Sequence, residues 1–432
     1  MSRYSQVKWL GLFSFLFILF TVSTVVADDQ MMITTSQHET YYLPESAVTS
    51  LPSQIGTLIT DDTMTLKPPT GLDGSLLYPL QENTSSIAES ILATDERTHI
   101  TNTAIFPYSA TVFITATFSN GATYIGSGAM VSSDGVLTAG HMIYSAANGG
   151  WATNVTIYPG LNGTTAPFGS AKSIKLFSVT EWTNKQDPTQ DIGLIRLDRP
   201  IGYKTGWFGL STSATPNETV QTTGFPAEKG ETMWQSTGKI DTIENSRIYY
   251  DLDTTSGQSG SPVYNANRTL LATHTYGGSQ VNFGTRINST VLAWIESDTH
   301  HYVANFRLYN RNSGEHFFTT NATEYQALVN LGWRAEGVAW FAAATGDEVY
   351  RLYNPNSGKH FYTKSVTEKQ YLVRLGWHDE GVAYHVVANG IPVYRLYNKN
   401  DGRHFYTSSL YERNSLVQLG WRAEGVAWYG LG

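Results

Sequence analysis

Cysteine is absent from the sequence, and so are a basic stripe and an Arg-rich helix. The absence of cysteine excludes disulfides, so each folded domain must be stabilised by a large core or by bound ions. The formal net charge of −8 at pH 7 disfavours a nucleic-acid partner. Hydrophobic residues make up 41% of the 432 residues and aromatic residues 13%. This composition supports packed cores, and the length allows two or three domains.

Long apolar runs are also missing, apart from one near the N-terminus that is short for a membrane span. It extends from Trp9 to about Phe20, follows two basic residues and is followed by small residues that end at Ala27. The pattern predicts a secretory signal peptide over residues 1–27. We therefore expect a secreted, extracellular protein without membrane contact after signal removal. Association with the cell wall is a further candidate location. An uncleaved anchor is the alternative.

Residues 28–89 are polar, rich in Ser and Thr, and weakly periodic. Such a composition predicts a poorly structured segment. A segment between a signal peptide and a domain is either a linker or a propeptide, and we favour the propeptide.

Short β-rich runs dominate from Thr101 to Asn288, with Gly, Asn, Asp and Pro between them at hairpin intervals. This pattern predicts an all-β barrel or sandwich, in a domain over residues 90–298. The closing stretch "NSTVLAWIESD" has a helical pattern. Its predicted apolar face comprises Val291, Leu292, Trp294 and Ile295.

The chain repeats itself three times over residues 302–432, with a spacing of 44 between "RLYNRNSGEHFFT", "RLYNPNSGKHFYT" and "RLYNKNDGRHFYT". Each copy reads as strand, turn, strand, short amphipathic helix and a Trp-led strand. Self-similarity at a fixed period indicates units that bury their apolar faces against one another. We expect a closed α+β module with pseudo-threefold symmetry.

Three segments contain residues that together suit nucleophilic catalysis. "VLTAGHMI" holds His141, "TQDIGLIRL" holds Asp191 and "TTSGQSGSPV" holds Ser259. A serine hydroxyl is a poor nucleophile until a base accepts its proton, histidine titrates near neutrality, and an aspartate fixes the imidazole tautomer. Each motif alone is common in non-catalytic turns and strand starts. Together, in the order of the chymotrypsin-type barrels, they predict a catalytic triad.

Gly257 gives the serine loop the freedom to turn, so that the backbone N–H groups of Gly257 and Ser259 can point at a developing oxyanion. A competing interpretation is a binding protein whose protease domain is vestigial. The intact triad motif favours the enzyme.

Residues 90 to about 296 resemble the bacterial glutamyl endopeptidase family of chymotrypsin-fold serine proteases. The resemblance covers about half of the chain and rests on "DERTHITNT", "LTAGH", "DIGLIRL", "DLDTTSGQSGSPVYN", "HTYGG" and "NFGTRI". It implies a double β-barrel with His141, Asp191 and Ser259 in the cleft between the barrels. Ser261 also matches that family better than the "SGG" of digestive trypsin-like enzymes.

The resemblance also implies a pocket for a substrate carboxylate, which matches Thr254, His274 and the amine of the mature N-terminus. A hydroxyl, an imidazole N–H and an ammonium all donate to an anion. Counting back from "DERTHITNT" puts the mature first residue at Ser90, directly after Glu89. We expect a zymogen cleaved between these two residues, by an enzyme that itself cuts protein or peptide substrates after Glu, with Asp as a further candidate.

Asp253 favours a different specificity. It lies six residues before Ser259, where a trypsin-like enzyme carries the carboxylate that attracts Lys and Arg. If Asp253 faced the pocket, it would repel an anionic substrate. Cleavage after Lys or Arg is therefore the alternative, although Thr254 and His274 together favour Glu.

Each repeat carries one His and one Trp that could belong either to its core or to a binding face for a cell-wall polysaccharide or glycan. These residues are His316, His360, His404, Trp333, Trp377 and Trp421. The module resembles a repeat appended to secreted Gram-positive hydrolases. No cofactor is indicated and no strong metal signature occurs, since His300 and His301 are adjacent rather than at a ligand spacing. Structural calcium stays open.

Overall fold

A computed structural model describes the protein over residues 31–43, 50–51, 53, 90–92, 94–298 and 302–431. The predicted signal peptide, Glu89, His300 and His301 lie outside the described residues. Across the described ranges, no helix is both long enough and apolar enough to cross a membrane.

The first closed structure is a six-stranded antiparallel barrel in the order β10-β5-β6-β7-β12-β11, closed by pairing between β10 and β11. The strands up to its end are β1 (Met32–Thr35), β2 (Thr40–Tyr42), β3 (Ser50–Leu51), β4 (Thr98–Ile100), β5 (Thr111–Thr117), β6 (Thr123–Met130), β7 (Gly135–Thr138), β8 (Tyr144–Ser145), β9 (Gly150–Trp151), β10 (Asn154–Pro159), β11 (Ala171–Val179) and β12 (Gly193–Leu197). Helices α1 (Thr180–Lys185) and α2 (Gly202–Thr205) lie in its connections.

The second barrel has the order β17-β14-β15-β16-β19-β18 and is closed by pairing between β17 and β18. Its segment of the chain contains β13 (Gly209–Ser211), β14 (Thr219–Gly224), β15 (Met233–Ile243), β16 (Arg247–Tyr250), β17 (Pro262–Asn265), β18 (Thr269–Tyr276), β19 (Asn282–Arg286) and helix α3 (Ser289–Asp298). The predicted all-β double barrel of the chymotrypsin type is confirmed.

Apolar side chains fill three connected regions of this double barrel. Phe113 of β5 packs edge-on against Phe225 at a ring distance of 5.4 Å, and this contact lies in a cluster shared by the two barrels. Helix α3 packs its apolar face into the core of the first barrel. All four residues predicted for that face are buried, which confirms its orientation.

A hairpin from the region before the barrels packs onto the first barrel. Strand β1 pairs with β11, placing Ile33 opposite Val179, and β2 pairs with β1. Ile33 and Leu43 are buried in the core, and β3 pairs with β13 beside the second barrel. The prediction of a poorly structured segment is therefore wrong for residues 31–43 and 50–51. These strands are too short for a periodic pattern, and a neighbouring barrel covers their apolar side chains.

The C-terminal module consists of three copies of one unit, and each copy contains strand, turn, strand, helix and strand as predicted. The elements are β20 (Tyr302–Tyr309), β21 (His316–Thr319), α4 (Ala322–Asn330), β22 (Arg334–Ala343), β23 (Asp347–Asn354), β24 (Lys359–Thr363), α5 (Val366–Arg374), β25 (His378–Val386), β26 (Ile391–Asn398), β27 (Arg403–Thr407), α6 (Leu410–Gln418) and β28 (Arg422–Gly430).

Equivalent contacts between successive repeats close the module into a ring. An Arg of each repeat pairs with a Glu on the helix of the preceding repeat, at 3.0 Å in every case: Arg351 with Glu324, Arg395 with Glu368, and Arg307 with Glu412. The rings of Trp340, Tyr384 and Trp428 lie 6.0–6.1 Å from one another in the shared core. The predicted closed pseudo-threefold arrangement is confirmed.

Glu336 should make the free energy of unfolding of this module fall as the pH is lowered. Burial alone would raise the pKa of Glu336, but hydrogen bonds from His316 and Arg334 and the charge of Arg307 outweigh burial and leave the pKa at about 2. A carboxyl whose folded pKa is lowered stabilises above its unfolded pKa, and this contribution is lost as pH falls through the folded pKa. We expect Glu336→Gln to lower the free energy of unfolding by roughly 2–3 kcal/mol at pH 7.

Urea denaturation followed by tryptophan fluorescence checks this expectation. The difference between variant and parent should narrow steadily as pH falls below the ordinary carboxyl pKa. Glu348→Gln, at an exposed position of the same module, is the matched control. A difference of equal size at neutral and acid pH would contradict the assignment.

Candidate active site

Two neighbouring strands bring His141 and Asp191 together. Gly193 of β12 pairs with Thr138 of β7, so the residues just before β12 meet the turn just after β7. The Asp191 carboxylate lies 2.6 Å from His141 Nδ1 through Oδ2 and accepts the His141 backbone N–H at 2.8 Å through Oδ1. Asp191 is fully buried, whereas the His141 side chain is 14% exposed. The carboxylate therefore fixes the imidazole through Nδ1.

The residue before the histidine must be small. A Cβ added at Gly140 would lie 2.9 Å from Asp191 Oδ1 and 2.8 Å from the Trp182 ring. The imidazole itself packs between aromatic rings, with centroid distances of 6.4 Å to Trp182 and 5.8 Å to Tyr276. Burial and a hydrogen bond to Asp191 raise the pKa of Tyr276 well above its usual value. Tyr276 is thus a neutral second partner of the Asp191 carboxylate.

Ser259 lies in the loop between β16 and β17, and two glycines shape this loop. Gly257 has φ +95° and Gly260 has φ +87°, the left-handed region that glycine tolerates best. A Cβ at Gly260 would lie 2.2 Å from Thr138 Oγ1 and 3.1 Å from the backbone N of Ala139. The residue after Ser259 therefore packs directly against the chain that carries His141.

The orientation of two backbone amides follows from hydrogen bonds on their own peptide units. The Ser256 carbonyl accepts the Ala227 N–H at 2.8 Å, and the Gln258 carbonyl accepts the Ser261 N–H at 2.9 Å. In a trans peptide the N–H points away from the carbonyl. The N–H groups of Gly257 and Ser259 are therefore directed away from those fixed carbonyls.

The predicted pocket residues lie in the second barrel and are fully buried. Among the described residues, the Thr254 hydroxyl has no hydrogen-bond partner. His274 on β18 lies with Nδ1 2.7 Å from the hydroxyl of Tyr250, which is also fully buried. A tyrosine hydroxyl that donates to Nδ1 leaves the imidazole proton on Nε2, where the ring can donate a hydrogen bond.

Ser90 lies beside Thr254, where Asn282 of β19 holds its backbone. The Asn282 amide donates to the Ser90 carbonyl at 2.7 Å and accepts the Ser90 N–H at 3.2 Å. The Thr254 N–H also donates to the Ser90 carbonyl, at 3.3 Å. The residue predicted as the mature N-terminus thus contacts the backbone of a predicted pocket residue.

Asp253, the residue that favours a basic substrate, directs its carboxylate at the same N-terminal segment. Oδ1 accepts the Leu92 N–H at 2.9 Å and Oδ2 accepts the Glu96 N–H at 3.2 Å. Only 7% of the residue is exposed. Both carboxylate oxygens are therefore occupied by backbone donors.

Arg97 anchors the loop between β16 and β17 that carries Ser259, and its side chain is only 2% exposed. It donates to Thr255 Oγ1 at 2.8 Å and to Gln258 Oε1 at 3.0 Å. Asp95 and Glu228 neutralise the guanidinium at 2.9 and 2.6 Å. Its hydrogen bond lowers the pKa of Asp95 well below the usual range.

Sequence reasoning did not identify Arg97, Asn282, Tyr250 or Tyr276. Each lies inside or beside a motif that carries the family resemblance, but a motif does not reveal which of its residues contact one another. Across the described ranges, no cluster of three or more His, Cys, Asp or Glu side chains is placed to hold a metal ion.

Two family models match the chain. Residues 97–295 match the model described as Trypsin, and residues 304–431 match the model described as Domain of unknown function (DUF5648).

Several bacterial proteins are similar to about half of this chain. An "Extracellular metalloprotease" of Bacillus subtilis is 38% identical over 52% of this chain and 77% of its own length. A "Glutamyl endopeptidase" of Bacillus licheniformis is 41% identical over 47% of this chain and 67% of its own length. A "Glutamyl endopeptidase" of Staphylococcus aureus is 28% identical over 52% of this chain and 66% of its own length.

A solved structure described as "Structure of Glu endopeptidase in complex with MPD" is also similar. It has 26% identity and a TM-score of 0.44, and the similarity covers 48% of this chain and 98% of that one.

Arg97 is a positioning residue whose loss should disturb the serine loop. Arg97→Leu removes a hydrogen bond to the buried Gln258 and two ion pairs with partly exposed carboxylates, so it should lower the free energy of unfolding by about 1–3 kcal/mol. It should also slow modification of Ser259 by an organophosphorus reagent about tenfold or more, since the loop loses its anchor. The labelling reaction is quenched at timed intervals, and mass spectrometry of the samples gives that rate.

Arg199→Leu is the matched control, because Arg199 forms a comparable pair with Asp198 at 3.0 Å on the surface. That variant should keep both stability and labelling rate. Unchanged labelling in a folded Arg97→Leu protein would rule out the anchoring role.

Proposed function

The chain belongs to the trypsin family of serine endopeptidases, and from that premise we propose that it cleaves peptide bonds after glutamate. The observation that carries the proposal is the environment of Asp253. Its carboxylate is occupied by the backbone N–H groups of Leu92 and Glu96, so it is not offered to a cationic side chain. The neighbouring Thr254 instead offers a buried hydroxyl that lacks a partner among the described residues.

In the proposed mechanism Ser259 is the nucleophile and His141 the general base. As Ser259 Oγ attacks the scissile carbonyl carbon, its proton passes to His141 Nε2. Asp191 holds Nδ1 at 2.6 Å and stabilises the imidazolium. The same proton then moves to the leaving amine, the C–N bond breaks and an acyl-enzyme forms. Water, deprotonated by His141, releases the acid product and restores Ser259.

The backbone N–H groups of Gly257 and Ser259 form the proposed oxyanion site. Their direction is set by the fixed carbonyls of the preceding residues, so little reorganisation is needed when negative charge develops. Ser127 supports this geometry, since its hydroxyl donates to the Gly257 carbonyl at 2.9 Å. One donor of this kind is worth about 2.7–4 kcal/mol in the transition state.

Three donors would bind the glutamate carboxylate of the substrate. The first is the Thr254 hydroxyl, and the second is His274 Nε2, which carries the ring proton in the tautomer whose Nδ1 accepts from Tyr250. The third is the amine of a chain that begins at Ser90. An α-amino group with a pKa of about 7.7–8.0 is mostly protonated at neutral pH.

Processing between Glu89 and Ser90 completes this pocket. The contacts of Asn282 and Thr254 with the Ser90 backbone support a new amine at that place. Because the bond follows a glutamate, the enzyme can cut it in another copy of itself. The zymogen, its export through the predicted signal peptide and its action outside the cell are parts of the same proposal.

Substrate selectivity tests the pocket. We expect Thr254→Val and His274→Ala each to lower kcat/KM for peptides with Glu before the scissile bond by about 10–100-fold, because each removes one hydrogen bond to a charged group. Activity on a matched Gln peptide should fall much less. Steady-state kinetics on the peptide pair measures the ratio.

Thr111→Val is the control for the threonine variant, since Thr111 is equally buried, also lacks a hydroxyl partner among the described residues and lies in the first barrel. It should leave the Glu/Gln ratio unchanged. A parent enzyme that prefers Lys or Arg, or a ratio unaffected by both pocket variants, would refute glutamate specificity.

Processing can be tested separately. Glu89→Gln should block or greatly slow maturation at Ser90, whereas Glu82→Gln, a nearby glutamate of the same segment, should mature normally. N-terminal sequencing of the secreted products reads the outcome. A normal mature protein that begins well away from Ser90 would remove the amine from the pocket model.

A further inference from the structure

We propose that the C-terminal module binds an uncharged saccharide in a cavity lined by all three repeats. The cavity has a volume of about 440 Å³. This lies within the range of about 300–1,000 Å³ that is usual for small-molecule sites. Gly314, Ser357 and Gly402, one from each β-hairpin turn, contribute to its wall. The site is therefore a product of ring closure and does not exist in a single repeat.

The three histidines of the repeats line this cavity as parts of its frame. His316, His360 and His404 each place Nε2 3.4–3.5 Å from a Glu of their own repeat. Each imidazole also packs edge-on against a Phe of the preceding repeat, at ring distances of 4.7–4.8 Å. Burial is the main cause that lowers the pKa of His404 to about 4. The three imidazoles therefore form a rigid, polar part of the cavity wall.

Each charged group around the cavity is already hydrogen-bonded to another group of the module. Glu315 accepts from His360 Nδ1 at 2.8 Å, and Arg403 binds Asp401 at 2.5 Å. Lys359 donates to the Asp401 carbonyl at 2.9 Å. Glu412 is paired with Arg307 outside the lining. An ionic ligand would have to break these pairs, whereas a hydroxyl can donate to one and accept from another without separating the charges.

Two half-buried indole rings complete the lining. Trp377 and Trp421 border the cavity, while the equivalent Trp333 of the first repeat does not. All three rings have the same support, an edge-on Phe at 5.9–6.2 Å. A flat apolar ring beside paired polar groups suits a molecule with an apolar C–H face and a rim of hydroxyls, which is the chemistry of a sugar ring.

Such binding would hold the protease at a polysaccharide surface and raise its local concentration there. The inference does not depend on the proposed cleavage specificity, because it rests on residues of the C-terminal module alone. Failure of one proposal therefore leaves the other intact.

The test uses the full chain, with Ser259→Ala in every arm so that no proteolysis can occur. Tryptophan fluorescence is titrated with cellotetraose and with chitotetraose up to about 10 mM. A saturable change with at least one of them is expected. Its affinity should fall about tenfold or more in Trp377→Ala and in Trp421→Ala, and it should stay unchanged in Trp333→Ala.

Trp333→Ala removes a tryptophan that makes the equivalent Phe contact but lies outside the cavity lining. This variant, together with the urea midpoint of each variant, controls for effects on folding. Three outcomes would overturn the proposal. These are the absence of saturable binding to both tetrasaccharides, equal weakening by all three tryptophan variants, and tighter binding of tetragalacturonate or inorganic phosphate that salt abolishes.

Discussion

The segment from Ser90 to Arg97 is bound to the loop that carries the serine, and the geometry of the site depends on this contact. Asn282 holds Ser90 at one end, Asp253 binds two backbone N–H groups in the middle, and Arg97 donates to Gln258 at the other end. Residues 251–261 of the loop belong to no strand, and hydrogen bonds from the Ala227 N–H to the Ser256 carbonyl and from the Ser127 hydroxyl to the Gly257 carbonyl also hold them. Arg97 is buried, and its charge is tolerated because Asp95 and Glu228 lie against it.

This arrangement gives one short segment three tasks. It occupies the carboxylate of Asp253, its Ser90 carbonyl accepts the Thr254 N–H, and it holds Gln258, the residue before Ser259. The proposed processing and the proposed specificity would then be physically linked, because the residue proposed as the N-terminus already lies beside Thr254. The C-terminal module depends on a different constraint, the closure of its ring by three Arg–Glu pairs.

Local patterns predicted an all-β barrel or sandwich and the three repeats, and the family resemblance implied the double barrel. Motif order could indicate His141 and Asp191 because both lie at strand ends that the barrel topology makes adjacent. It could not settle the direction of Asp253, since two residues that differ by one position can point to opposite sides of a loop. The hairpin at residues 31–43 was missed because Ile33 and Leu43 pack into a core whose other members lie far away in the sequence. Likewise, the cavity that Trp377 and Trp421 border, and Trp333 does not, forms only where the three repeats meet.

Glutamate specificity is the central claim, and a cleavage-site profile tests it most directly. The processed enzyme is incubated with a library of peptides of known sequence, and the products are identified by mass spectrometry. The occupied carboxylate of Asp253 and the donor groups of Thr254 and His274 predict glutamate before most of the cleaved bonds. A profile dominated by lysine and arginine at that position would contradict the account.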